Sequence, residues 1–255
     1  MVQNMPIDIA AELRAFESDE FETTGSRPYC QWFNDEHDGG LLIKFDDAMA
    51  IDLDTDLAEG HGYRCIERVF GYEEDAEPVE CLVTDKPILC VLRKGELRMY
   101  ERAASGEIGD YIGPFQSGAY DSEKHVVKTR YLVHLLVMAE AGYTLLNTEP
   151  LLMTLKGTVG AQFGSRGGPL DTLEAAIRRF HGKGGKSRVP PFAFALHLTT
   201  RPEQKTDKQG KSYWVTNIEK PPAIGSQEAL GTFWVGRENL EAMMLVYEQH
   251  KDVSL

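Results

Sequence analysis

No window of this 255-residue chain approaches the roughly 18 consecutive apolar residues that a membrane-spanning helix needs. The longest apolar stretch, residues 131–139 (YLVHLLVMA), is strand-sized and contains His134. The first residues carry no basic region and turn acidic within a few positions, so no secretory signal is expected. A cytoplasmic location with no membrane partner follows from that reading. Cysteine is scarce: Cys30, Cys65, Cys81 and Cys90 contain no C-x-x-C pair. This argues against a disulfide framework and makes Cys81 and Cys90 small apolar core residues. A zinc set of Cys30, His37, His61 and Cys65 can be drawn, but the spacing does not demand it. No metal and no other cofactor is expected.

Catalytic signatures are missing too. There is no G-x-S-x-G, no H-E-x-x-H and no paired-histidine motif. The glycine-rich stretch at 157–168 (GTVGAQFGSRGG) lacks G-x-x-x-x-G-K-[ST], and HGKGGK does not match G-x-G-x-x-G, which excludes nucleotide hydrolysis and dinucleotide binding. Asp52, Asp54 and Asp56 imitate the start of a calcium loop, but the sixth position is Leu57 and the twelfth Tyr63. On a strand the three carboxylates would share one face, as in a metal-dependent nuclease; a solvated acidic face is the simpler reading. Binding without catalysis is therefore expected, ahead of an enzyme with an unfamiliar site.

What the chain does have is unevenly placed charge. The net charge is −13. Residues 1–150 hold 13 Lys/Arg against 30 Asp/Glu, a net of −17, whereas 151–220 hold 12 against 5, a net of +7, and 221–255 carry −3. A basic block in so acidic a chain is the footprint expected for a polyanion partner. Its alternative is a surface that meets the chain's own acidic half or another protein, as in a homo-oligomer. Two acidic runs, Glu17, Asp19, Glu20 and Glu22, then Glu73, Glu74, Asp75, Glu77 and Glu80, read as solvated segments or as contacts for partner proteins.

Periodicity predicts an α+β, strand-dominated fold: an OB-like or other β-barrel or sheet core with two amphipathic helices. Residues 1–26 are expected to form a mobile acidic arm with a short helix at 7–16, and 27–255 a single strand-rich domain. The alternative is two subdomains, 27–110 and 120–255. Short β-rich segments run from PYCQWFN to ELRMYE, with Lys94–Gly95 read as a hairpin turn. Residues 103–122 read as a long loop, and HVVKTRYLVHLLVMAEAG and PLLMTLKG as central strands. A helix is predicted over 169–181, where Leu173, Ala176, Ile177 and Phe180 make one stripe. Another covers 237–251 on Leu240, Met243, Met244 and Tyr247. Between them, alternation in FAFALHLT suggests a strand that returns through SYWVTNI after a polar connector.

The candidate site is basic and aromatic. Arg166 follows the glycines; Arg178, Arg179, Lys183, Lys186 and Arg188 precede the predicted hairpin; Arg201, Lys205, Lys208 and Lys211 decorate its connector. Tyr213 and Trp214 lie on its second strand, pointing to opposite faces, so one ring should be buried and one exposed. Phe192 and Phe194 should face the core. Proteins that hold single strands without sequence preference join a positive groove to stacking platforms, each stacked base contributing roughly 1–3 kcal/mol.

The order RYLVHLLVMAEAG, PLLMTLKGTVGAQF, helix, PFAFALHLTT and GKSYWVTNI resembles an uncharacterised family of cyanobacterial and phage proteins. Its layout is similar to that of phage-type single-stranded-DNA-binding proteins with an OB-like barrel. The resemblance covers about residues 125–220 and implies a strand-rich domain acting in DNA replication, repair or mobile-element biology. The acidic first half and the terminal helix are this chain's own. The expected function is binding of single-stranded nucleic acid through about residues 156–220, and the alternative is an acidic interaction or scaffold protein.

Overall fold

A computed structural model describes residues 27–37, 39–70, 77–103, 108–183, 186–187, 189–206, 210, 212–253 and 255. The predicted arm at 1–26, and Glu73, Glu74 and Asp75 of the second acidic run, lie outside the described residues. The architecture is α+β and strand-dominated, as the periodicity predicts. Eleven strands share one sheet: β1 (Tyr29–Phe33), β2 (Gly40–Lys44), β3 (Arg64–Val69), β4 (Pro78–Thr84), β5 (Ile88–Lys94), β6 (Arg98–Arg102), β7 (Ile108–Pro114), β8 (His125–Ala139), β9 (Gly142–Leu145), β10 (Leu151–Lys156) and β13 (Leu196–His197). The short strands β11 (Gly182–Lys183) and β12 (Lys186–Ser187) pair with each other, as do β14 (Thr200–Thr206) and β15 (Ser212–Ile218).

The main path is β13-β5-β8-β10-β1-β2-β4-β3, antiparallel throughout except for the parallel β1/β10 pair. Strand β8 organises it. One of its edges carries β6 and then β5, and the other carries β10 and then β9. A strand covered on both faces needs apolar residues at successive positions rather than in alternation. The run Tyr131–Val137 satisfies this, every residue being buried, His134 included.

Each face of β8 meets its own core. Tyr131, Val133, Leu135 and Val137 join the larger cluster, together with buried residues of α3 (Gly157–Gly164) and α4 (Pro169–His181). Leu132 and Leu136 join a second cluster beneath α6 (Arg237–His250), with Phe192, Val235 and Met243. The predicted stripe of α4 is buried at Leu173, Ala176 and Ile177. On α6 the buried stripe is narrower than predicted: Met243 is fully covered, while Met244 stays exposed. Two short helices, α1 (Phe45–Met49) and α2 (Thr55–Gly60), follow β2, and α5 (Gln227–Gly231) precedes α6.

Three local expectations are corrected, and two further stretches are placed. Lys94–Gly95 is no hairpin turn: β5 and β6 follow the same edge of β8, with Lys94 opposite Tyr131 and Arg98 opposite Lys128. The Gly95 N–H donates to the Arg130 carbonyl at 2.7 Å, and a Cβ at Gly95 would lie 2.8 Å from that of Leu255. Residues 108–114, read as loop, form β7 against β6. The glycine-rich stretch is the helix α3, because Val159 and Phe163 are buried and Gln162 clamps the Asn217 side chain and the Ile218 N–H, each at 2.8 Å; tertiary packing overrides poor propensity here. In FAFALHLT, the Pro190–Pro191 pair starts a 3-10 turn (Pro191–Ala193), so Phe192 through Leu196 are buried without alternation and the hairpin begins only at Thr200. Asp52, Asp54 and Asp56 are exposed, in line with the solvated reading, and not on a strand, since Asp54 N-caps α2 by accepting from the Leu57 N–H at 2.9 Å.

Candidate functional site

The structure spreads the predicted cations over the end of α3, the last turn of α4 and the β14–β15 hairpin. Arg166, Arg178, Arg179 and Arg201 are exposed. Arg178 lies 3.4 Å from Glu174 and 3.9 Å from Asp171, Arg201 pairs with Glu219, and Lys205 lies 3.6 Å from Glu203. Arg179 stacks over Phe180 at 5.1 Å. The neutralising carboxylates thus come from the same segment, not from the acidic first half. Lys183 and Lys186 are backbone register partners in the β11/β12 ladder. Arg188, Lys208 and Lys211 lie outside the described residues. The hairpin register sets Lys205 opposite Tyr213. Tyr213 is the more exposed ring, at 46%, and Trp214 is half-buried, while Phe192 and Phe194 face the core as predicted.

A tighter basic group sits on β6, β8 and β10, which sequence reasoning had assigned only to strands. The registers Arg98↔Lys128 and Lys128↔Lys156 align three cations across three adjacent strands. Residues directly opposite in a ladder project from one face, about 5 Å apart at Cβ. Two residues along β8, Arg130 projects from that face as well. Among the described residues, none of the four has a carboxylate within 4 Å. Burial first, then the charges of Lys156 and Arg130, lowers the Lys128 pKa below the usual lysine range. The buried Nε of Arg98 has no hydrogen-bond partner among the described residues.

Aromatic rings lie on the same face. The Lys128 ammonium is 4.5 Å from the Tyr100 centroid, and the Arg98 guanidinium 5.9 Å from that of Tyr111. The two rings are 5.4 Å apart, and Tyr111 is 52% exposed. The patch starts where α6 and Leu255 cease to cover the sheet, since Leu132, two residues beyond Arg130 on that face, is already in the second core. Lys-x-Arg in VVKTRY and Arg-x-Tyr in LRMYE carried the only sequence signal, same-face spacing on a strand. Cross-strand register, which aligns them, has no local signature.

Beside the same strands lies a cavity of about 550 Å³. Its walls are Leu97, Phe115, Tyr120, Tyr131 and Leu155, roofed by the glycines of α3.

Other polar centres are isolated. Tyr143 Oη and His197 Nε2 are 2.6 Å apart, and Tyr143 Oη also lies 3.1 Å from the Thr232 carbonyl. Burial lifts the Tyr143 pKa to about 12 and lowers that of His197, so at neutral pH this is a pair of uncharged groups. Cys30 is buried in the core while Cys65 is exposed, so the drawn zinc set is not assembled. Among the described residues no group of three His, Cys, Asp or Glu is placed to hold a metal ion. No helix among them is long and apolar enough to cross a membrane.

Comparison with known proteins gives one match, a family model described as "Domain of unknown function (DUF5895)", over residues 26–254. No curated protein and no solved structure matches.

Proposed function

The chain belongs to the DUF5895 family, whose description assigns no activity, and we propose from its surfaces that it binds single-stranded nucleic acid without catalysis. The observation that carries this reading is the unpaired row Arg98–Lys128–Lys156 with Tyr100 and Tyr111 beside it. Like charges directly opposite in a ladder destabilise it. A phosphodiester backbone lying across the row would relieve that repulsion. Exposed rings stack only on bases that are not already paired, which favours a single strand over a duplex. The hairpin, with Arg201, Lys205 and exposed Tyr213, supports an extension of the path. Its ion pairs are exposed, so each is worth little and can be exchanged for a phosphate contact.

The test is fluorescence anisotropy of labelled oligo-dT and oligo-U in rising salt. Binding at about 50 mM salt should weaken linearly on a log–log plot, with a slope of roughly 0.7 per phosphate contact. Replacing Lys128 and Lys156 by Gln should reduce the slope by about 1.4. The same double variant should melt no lower than the parent, because a like-charge pair is removed. A Lys205→Glu, Lys208→Glu, Lys211→Glu variant tests the hairpin separately. No binding of either oligonucleotide at about 50 mM salt would end the proposal; binding indifferent to the Lys128/Lys156 change would move it off this face.

A further inference from the structure

We infer that the cavity beneath α3 is a binding site for a small aromatic anion, a planar ring system bearing one carboxylate or phosphate group. The inference is independent of nucleic-acid binding, because none of Arg98, Lys128, Arg130 and Lys156 lines the cavity. At about 550 Å³ the space falls within the usual range for small-molecule sites. Its walls are mostly apolar and include three rings, Phe115, Tyr120 and Tyr131. Phe115 and Tyr120 meet edge to face at 5.6 Å, and Tyr131 meets Phe163 of α3 at 5.1 Å. Such walls suit a flat aromatic body.

The roof is built to leave room. Gly157, Gly160 and Gly164 all line the cavity from one eight-residue helix. Each glycine inside a helix costs about 1 kcal/mol relative to alanine. Packing explains only Gly164, where a Cβ would lie 2.6 Å from Tyr131 Oη. A Cβ on Gly160 would make ordinary contacts, and one on Gly157 would meet nothing within 4 Å. Gly157 has φ +59°, a conformation that favours glycine whatever the space, so the open volume is what Gly160 preserves.

Charge selects the ligand. The charged groups of the lining are Lys94 and Arg102, with no carboxylate among the lining residues, and neither cation has a carboxylate within 4 Å among the described residues. Lys94 Nζ and Tyr131 Oη converge at the Gly164 end, lying 3.8 and 2.6 Å from the point a Cβ there would occupy. Burial lifts the Tyr131 pKa to about 12, so its hydroxyl remains a donor at neutral pH. An ammonium and a hydroxyl donor at one end of an apolar slot fit an anionic group on an aromatic frame.

The experiment follows the fluorescence of 1-anilinonaphthalene-8-sulfonate with the full chain, then competes it with matched pairs: 2-naphthoate against 2-naphthylmethanol, and AMP against adenosine. Saturable one-to-one binding is expected, with at least one anion displacing the probe ten-fold better than its neutral partner. The two pairs separate a carboxylate ligand from a phosphate ligand. Ala161→Phe, at an exposed position on the cavity rim, should abolish the binding, and Lys94→Gln should erase most of the preference for the anion. Both sites are exposed, and unchanged melting confirms the fold. Replacing Lys128 and Lys156 by Gln should leave probe binding intact. Absence of saturable binding, binding indifferent to Ala161→Phe, or neutral partners competing as well as the anions would each overturn the inference.

Discussion

His134 should make this protein acid-sensitive in a way that one substitution removes. It sits on β8 beneath α6, 1% exposed, with Nδ1 3.2 Å from both the carbonyl oxygen and the side-chain nitrogen of Asn147. Its Nε2 is buried without a hydrogen-bond partner. Burial, opposed only in part by the Asn147 contacts, lowers its pKa from 6.5 to about 4, and the nearby His250 pushes the same way. Asp52 and Asp54 line the small cavity that His134 also borders. Between about pH 6.5 and 4 the unfolded chain takes up a proton that the folded chain refuses. Stability from this group is therefore complete above pH 6.5 and is lost as pH falls towards 4. At about 1.4 kcal/mol per tenfold change in proton affinity, the loss is roughly 3 kcal/mol. In a domain of this size that lowers the melting temperature by roughly 6–12 °C. Urea unfolding of the parent and of His134→Gln, run from pH 7.5 to 4, isolates the effect because other titrations largely cancel in the difference. The parent's advantage over the variant should shrink by roughly 3 kcal/mol across that range. Parallel curves, or an imidazole titrating near pH 6.5 in the folded protein by NMR, would refute the reasoning.

Gly40→Ala should cost more than about 2 kcal/mol in urea unfolding, because its Cβ would collide with the Thr84 carbonyl on β4, and neither backbone can yield without losing the β2/β4 register. Gly225→Ala, with nothing within 4 Å, is the control and should be near neutral. Among the cysteines only Cys65 is exposed, so one thiol per folded chain should react quickly with Ellman's reagent, and Cys30, Cys81 and Cys90 only after denaturation. Desolvation and then Glu80, Glu59 and Glu67 raise the Cys65 pKa, so that reaction should accelerate as pH rises above neutrality; a second fast thiol would contradict the packing.

Elements with strong local signals were legible. The β8 run, α4 and α6 announce themselves by unbroken apolarity or by a 3.6-residue stripe; both helices end within a residue of expectation, and β8 stops at Ala139, three residues before it. What failed was decided by partners distant in sequence. The helix α3 forms from a glycine-rich string because Gln162 is held by β15 and Phe163 fills a slot against Tyr131. Gly95 looks like a turn but marks a break in a long pairing, since the decisive neighbours, Arg130 and Leu255, lie 35 and 160 positions away. The charge block at 151–220 included Lys156 of the β6–β8–β10 row. It missed Arg98, Lys128 and Arg130, because those cations belong to segments that are acidic on average.

That averaging bears on how a chain of net charge −13 could hold a polyanion at all. At physiological ionic strength charges further apart than about 8 Å are largely screened, so the sum over the molecule matters less than the nearest few groups. At the β6–β8–β10 face those nearest groups are cations without carboxylate partners. The face also breaks three rules of stable folding together: like charges stand opposite in a ladder, a lysine is partly desolvated, and a buried guanidinium nitrogen lacks an acceptor. Each is unfavourable for the isolated fold. Local rules tend to be broken where a structure is shaped for something other than its own stability. A phosphate bound across the row would ease the like-charge repulsion, whereas an internal carboxylate placed there would have eased it permanently and left nothing for a ligand to do.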